Sequence, residues 1–239
     1  MIQQHIPGIE RVTENNILSK KNQYYIGNYF LYHDILHMLK TYAKGVLIDI
    51  GCGNKPYASI IKGLTDSHIG CDIVQSSANN ADFLCPADNL CFEEGQFDTV
   101  FCTQVLEHVA DHRKVVSESF RVLKRGGHAI FSMPFSWELH EEPYDFFRFS
   151  KYGLIVLFEQ AGFEIIEIKA NGGKWAAVFQ LFLNTLYSTR RYNTFRSRII
   201  KLIFVHLKVE ILYNNFAVWL DKKYTDDLFT LNYVVVAKK

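Results

Sequence analysis

Apolar and polar positions along the chain switch repeatedly between a helical period and short, unbroken apolar runs. From Tyr25 to Ala43 apolar residues recur at helical spacing (Tyr29, Tyr32, Ile35, Leu36, Leu39), with Gly45 as a stop. VLIDI (46–50) then reads as a strand, followed by a helix starting near Pro56. HIGCDI (68–73), DFLC (82–85) and FDTVFC (97–102) are the next strand candidates. A helix is predicted from about Asp111 to Lys124, ending at a Gly126–Gly127 turn before the strand HAIFSMP (128–134). Ser150 is suited to cap a helix through Ala161, ahead of FEIIEIKA (163–170), and NYVVVAK (232–238) is the last strand candidate. Between those two strands lie an apolar helix at 175–186, the basic connector RRYNTFRSR (190–198) and a long amphipathic helix over 199–220.

Runs such as VLIDI and TVFC are apolar and β-branched without clean alternation, as expected of strands buried on both faces of a parallel sheet. Their alternation with helices predicts a doubly wound α/β fold with right-handed crossovers. The chain divides into an N-terminal helical segment (1–44), a core of 45–174 completed by 230–239, and a helical cap or insertion at 175–229. In open α/β sheets ligands bind beyond the carboxyl ends of the strands, so chemistry is sought just after each strand.

Composition narrows the picture only a little. About half the residues are apolar, enough for a full-sized core. The net charge is +1, but residues 175–239 carry ten Lys/Arg against four Asp/Glu. The first 174 residues are therefore net acidic, and a short basic cluster on such a chain argues against nucleic acid. Cys52, Cys71, Cys85, Cys91 and Cys102 form no CxxC pair and read as free thiols of a reducing compartment. The N-terminus lacks the apolar stretch of a signal peptide, and Lys201, Lys208 and Glu210 interrupt the longest apolar region. The expected location is cytoplasmic, with residues 175–220 and the arginines 190, 191, 196 and 198 as a peripheral contact to the inner face of a membrane, a core-packing cap, or a homodimer interface.

The chemistry concentrates in a few stretches. In GCGNKPY, the glycines 51 and 53 let the backbone turn sharply and approach a ligand, and Pro56 is suited to start the next helix. Asp49 precedes the loop, where a pyrophosphate would be repelled and a ligand ammonium held. Asp72 ends the second strand, the position from which a carboxylate chelates a ribose diol. Ala87 and Asp88, in PADNL, are suited to an adenine. Together these favour S-adenosyl-L-methionine over a dinucleotide.

VLIDIGCGNKPY, the acidic end of HIGCDI, FDTVFCTQVLEHV and RVLKRGGHAIFSMP together resemble the class I S-adenosylmethionine-dependent methyltransferases, and within them the methyltransferase type 11 group, over about residues 45–170. The resemblance implies a Rossmann-like, seven-stranded, mostly parallel sheet whose last strand is antiparallel. It also implies that S-adenosyl-L-methionine is contacted by Asp49, Gly51, Cys52, Gly53, Asp72, Ile73, Ala87, Asp88, Thr103 and Gln104. Glu107 and His108, in LEHV, are read as orienting that loop.

Methyl transfer from a sulfonium needs alignment, exclusion of water and, for a hydroxyl or amine acceptor, removal of a proton. FSWELHEEPYDFFRFS (135–150) follows the fifth strand and resembles a run in type 11 relatives associated with glycan modification. His140 is the candidate base, Asp145 its orienting partner or substitute, and Arg148 the candidate holder of an acceptor carboxylate or phosphate. The same residues also read as a lid held by its own Arg–carboxylate pairs. No metal site is expected, since His140, Glu141 and Glu142 are adjacent and point in different directions. The expected function is O-methylation of a small-molecule or glycan acceptor. The alternatives are C-methylation of a quinone-like lipid, and a catalytically silent partner protein that binds S-adenosylmethionine.

Overall fold

The computed structural model describes residues 13, 16–20, 22–76, 78–187 and 209–239. Helix α1 (Tyr25–Tyr42) leads into β1 (Val46–Ile50), α2 (Ala58–Lys62), β2 (Ser67–Asp72), β3 (Phe83–Leu84) and β4 (Phe97–Thr103). A 3-10 turn (Leu106–His108), α3 (His112–Val122), β5 (Leu123–Pro134), α4 (Lys151–Gln160) and β6 (Glu164–Asn171) follow. Helices α5 (Lys174–Tyr187) and α6 (Val209–Lys223) precede β7 (Asn232–Lys238). The strands form one sheet in the order β3-β2-β1-β4-β5-β7-β6. Strands β1 to β5 pair in parallel, and β7 slots between β5 and β6 antiparallel to both. This is the α/β sheet expected from the strand–helix alternation, with the seven strands and antiparallel last strand that the methyltransferase resemblance implied.

Both faces of the central strands are covered, which is why β1, β4 and β7 are mostly apolar, while the edge strand β6 stays partly exposed and carries charged residues. Adjacent residues go to opposite sides. Ile48, Val100, Cys102, Ala129, Phe131, Val235 and Ala237 pack with α3 and α4, against Val115, Val122, Leu154 and Phe158. Leu47, Phe101, Ile130, Val234 and Val236 pack with Leu31, Ile35, Met38 and Leu39 of α1 and Ile61 of α2. The first turn of α1 also joins α5 and α6 in a third cluster (Tyr25, Ile26, Ala176, Ala177, Leu183, Ala217). Asp221 of α6 ties the start of α5, accepting the Gly173 and Ala176 N–H groups at 3.0 and 2.9 Å.

Some boundaries differ from expectation. Helix α3 stops at Val122 and runs straight into β5, so Gly126–Gly127 form no helix-ending turn. They sit where the β4–β5 register shifts, and Gly126 has φ +77°. A Cβ on Gly127 would stand 2.9 Å from the Asp98 carbonyl oxygen, so the close strand approach needs glycine. Pro56 lies in the turn before α2, which begins only at Ala58. Ser150 caps α4 as expected, its hydroxyl accepting the Gly153 N–H at 3.3 Å. Cys52, Cys71, Cys85 and Cys102 are buried free thiols, but Cys91 is exposed. The basic connector, with arginines 190, 191, 196 and 198, and the start of the helix expected from residue 199 lie outside the described residues. No helix among the described residues is long and apolar enough to cross a membrane.

Candidate functional site

The loop after β1 is shaped by glycines that adopt left-handed backbone. Gly51 has φ +68° and Gly53 φ +50°. A Cβ on Gly51 would collide with a Val105 methyl, so this turn and the β4 loop can meet only without a side chain. The N–H groups of Gly51 and Cys52 both point at the Cys71 carbonyl, at 2.8 and 3.0 Å, which seats the loop on the end of β2.

Asp72 completes that seat. Its carboxylate accepts the Gly53 N–H at 3.0 Å and the Val74 N–H at 3.3 Å, so the end of β2 and the glycine loop share one acid. Ile73 follows, half-buried. Asp82 plays a comparable part beneath: it accepts the Gly70 N–H at 2.7 Å and pairs with Lys55 at 2.7 Å. Burial opposes its ionisation but is outweighed by the Gly70 N–H and the Lys55 ammonium, and its carboxyl is held below the usual range.

Asp49 is 3 % exposed, and its Oδ2 lies 3.0 Å from His68 Nε2. Burial pushes its carboxyl up, against the opposing pull of His68 and Lys55. The Cys52 thiol beside it is pushed up to about 12 by burial and the neighbouring carboxylates, so it is no nucleophile. Residues 86–89 form a tight turn closed by Asn89 N–H to Pro86 O (3.1 Å), with Ala87 packed on the core and Asp88 half-buried. Thr103 ends β4, and Gln104 turns left-handed (φ +54°), tied to Ser132 by its backbone N–H (2.8 Å) and its side-chain amide (3.2 Å). Asp49, the glycines, Asp72, the 86–89 turn and Gln104 thus all lie at the carboxyl ends of β1, β2, β3 and β4.

The 135–150 segment is organised by Arg148. Its two terminal nitrogens grip the Asp145 carboxylate at 2.5 and 2.7 Å. The remaining N–H groups go to the carbonyls of Trp137 (3.3 Å), Phe147 (2.8 Å) and Glu138 (2.8 Å). All five guanidinium hydrogens have partners within the segment. The Asp145 side chain is 1 % exposed and accepts the His140 backbone N–H at 2.9 Å. Burial opposes its charge, but Arg148 and that N–H outweigh it, and its carboxyl is held below the usual range. His140 Nδ1 faces the Glu138 carbonyl (3.2 Å) and Asp145 Oδ2 (3.3 Å), both acceptors. The proton of a neutral ring therefore sits on Nδ1, leaving the Nε2 lone pair outward. Burial, then His108, pushes His140 down, which favours that neutral form.

His140 also meets two residues read from the sequence only as loop supports. Its ring is 4.8 Å from that of His108. Glu107 is fully buried, and neither carboxylate oxygen has a hydrogen-bond partner among the described residues. Burial pushes its carboxyl up to about 8, against the pull of its own backbone N–H and of Arg148. His68, Asp82 and the Glu107–His108–His140 grouping are the site features the chain pattern did not single out. Only a histidine two residues ahead of the Gly70-Cys71-Asp72 strand end hinted at the first.

Residues 48–131 match the family model described as a methyltransferase domain. A ubiquinone biosynthesis O-methyltransferase of Thiobacillus denitrificans is 29 % identical over 99 residues, covering 36 % of this chain and 43 % of the relative. One of Methylococcus capsulatus is 28 % identical over 98 residues, covering 36 % and 41 %. The chain thus matches less than half the length of these relatives. Among solved structures, a methyltransferase of Mesorhizobium loti superposes with a TM-score of 0.55 at 13 % identity, covering 91 % of this chain and 98 % of that one. The cyclase SpnF superposes at 0.57 and 17 %, covering 88 % and 81 %. At such identities the structures speak for the fold alone. Residues 48–131 thus carry a methyltransferase domain of the type 11 group, set in a seven-stranded sheet of the class I S-adenosylmethionine-dependent methyltransferase kind.

Proposed function

We propose that the protein transfers a methyl group from S-adenosylmethionine to a hydroxyl of a small-molecule or glycan acceptor. The observation that carries this reading is the convergence of the 51–53 loop, Asp49, Asp72 and the 135–150 segment at one end of the sheet. Asp49 receives the methionine ammonium and Asp72 the ribose hydroxyls. Gly51, Cys52 and Gly53 supply close backbone, Ile73, Ala87 and Asp88 flank the adenine, and Thr103 and Gln104 lie by the methionine end. The sulfonium leaves as a neutral thioether, so the chain's task is alignment and removal of the acceptor proton. His140 takes that proton on Nε2. Asp145 holds the ring tautomer through Nδ1, and Arg148 holds Asp145. Because the guanidinium is already shared within the segment, Arg148 serves as a positioning residue in this reading.

The names of the curated relatives favour oxygen over carbon as the acceptor atom, and a quinol-like lipid is the first acceptor class to try after glycans. The cyclase among the similar folds favours keeping the silent alternative in view, since this architecture also carries other chemistry. The deciding experiment is calorimetry with S-adenosylhomocysteine, followed by transfer of a labelled methyl group to panels of glycans, phenols and quinols. Binding with transfer lost in His140→Ala supports the proposal. Binding without transfer to any panel supports the silent alternative, and no binding sinks both.

A further inference from the structure

We propose that Glu107, His108 and His140 form a binding site for a divalent transition ion of the zinc class. One potential ligand atom from each lies within 4.8 Å of the others. The three come from two separate stretches, the turn after β4 and the segment after β5, which the fold brings face to face. Both histidines have Nδ1 engaged within the protein. His108 Nδ1 donates to the Tyr144 carbonyl at 2.7 Å, which leaves Nε2 as the open nitrogen of a neutral ring. His140 is held in the same tautomer by the Glu138 carbonyl and Asp145, so its Nε2 is open as well.

Glu107 is the independent sign that something belongs between them. A fully buried carboxylate with no hydrogen-bond partner costs several kcal/mol or must take up a proton. The nearby imidazole nitrogen of His108 sits 3.8 Å from Oε1, too far for a hydrogen bond but close to the spacing of two ligands on one ion. Tetrahedral zinc with bonds of about 2.0–2.1 Å sets its ligands about 3.4 Å apart, so the three groups need close only modestly. Two imidazoles and one carboxylate are a borderline donor set that suits zinc better than magnesium or calcium. A fourth position would open on the side of His140, whose ring is 29 % exposed.

The site changes how His140 is used. An ion and a proton compete for the same Nε2, so, on the reading of His140 as the base, zinc slows methyl transfer. Binding itself does not rest on that reading. The test titrates zinc chloride into chelator-treated full-length protein by calorimetry, with S-adenosylhomocysteine binding measured on the same samples without zinc. The expected result is one zinc per chain. Glu107→Gln and His140→Ala should each weaken it by on the order of 10–100-fold or more, with S-adenosylhomocysteine binding retained. Glu107→Gln keeps the side chain's shape and removes the ionisable carboxyl, so it tests the site in a folded protein. Absence of stoichiometric zinc, or zinc held equally by both variants, overturns the inference. Because each ligand is titrated separately, failure of the zinc site and failure of the cofactor reading are distinguishable.

Discussion

His68 Nε2 stands 3.0 Å from Asp49 Oδ2, and the two side chains join neighbouring strands β1 and β2 beneath the glycine loop. Burial raises the Asp49 carboxyl and His68 opposes it, so the histidine favours the ionised form that the proposed ammonium contact needs. His68→Ala should raise the carboxyl further and weaken S-adenosylhomocysteine binding by roughly 10-fold at pH 7, the worth of one charge-assisted hydrogen bond. The variant should lose binding on acidification at a higher pH than wild type does. His68→Gln, which keeps a donor, should recover part of the affinity. Calorimetry between pH 5 and 8 decides it; identical pH profiles in all three proteins would sink the coupling.

Gly51 has φ +68° and faces Val105 where a Cβ would collide. Gly51→Ala should therefore cost about 1–3 kcal/mol of backbone strain, beyond any clash. It should also abolish cofactor binding by pushing the loop off the β4 turn. Thermal unfolding and calorimetry together check this, and an alanine variant that binds normally would refute it.

Arg148 satisfies the buried Asp145 and three carbonyls at once. Arg148→Ala leaves that buried carboxylate without its cation, held only by His140, a loss of about 3–5 kcal/mol. Arg148→Lys keeps the charge without the planar fork and should fall between the two. Hydrogen exchange should show faster opening of 135–150 in both variants, with the strands β1 and β4 unaffected.

Asp98 Oδ2 accepts the Val46 N–H at 2.9 Å and the Lys124 ammonium at 2.8 Å. Burial opposes its charge, but Lys124, Val46 and Lys44 outweigh it, so the folded-state value is lowered. A lowered carboxyl stabilises the fold above the ordinary value of about 4, and that contribution is lost as pH falls through the folded value. Asp98→Asn should melt below wild type at pH 7, with the difference closing at more acidic pH. Melting curves from pH 3 to 7 read the effect directly.

Much of the architecture was legible in the chain because buried parallel strands and their covering helices leave strong local patterns. VLIDI, FDTVFC and NYVVVAK became β1, β4 and β7 with boundaries shifted by at most one residue. The helix end near Lys124 was not legible. A glycine pair suggests a turn, but the shifted β4–β5 register draws residues 123–127 into the strand. The carboxylates at the ends of β1 and β2 were visible because strand ends in such a fold face one side, whatever the partners. By itself, then, the sequence determined the order of strands and helices, the glycine turn and the acids beside it, since these depend on residues close in the chain. Only the tertiary structure decided that His68 meets Asp49 and that Glu107 and His108 face His140, whereas the pairing of Arg148 within its own segment was already legible as a lid held by Arg–carboxylate pairs. The His68–Asp49, Glu107–His140 and His108–His140 contacts join positions 19, 33 and 32 residues apart whose side chains meet through sheet register and loop packing, which no local pattern encodes.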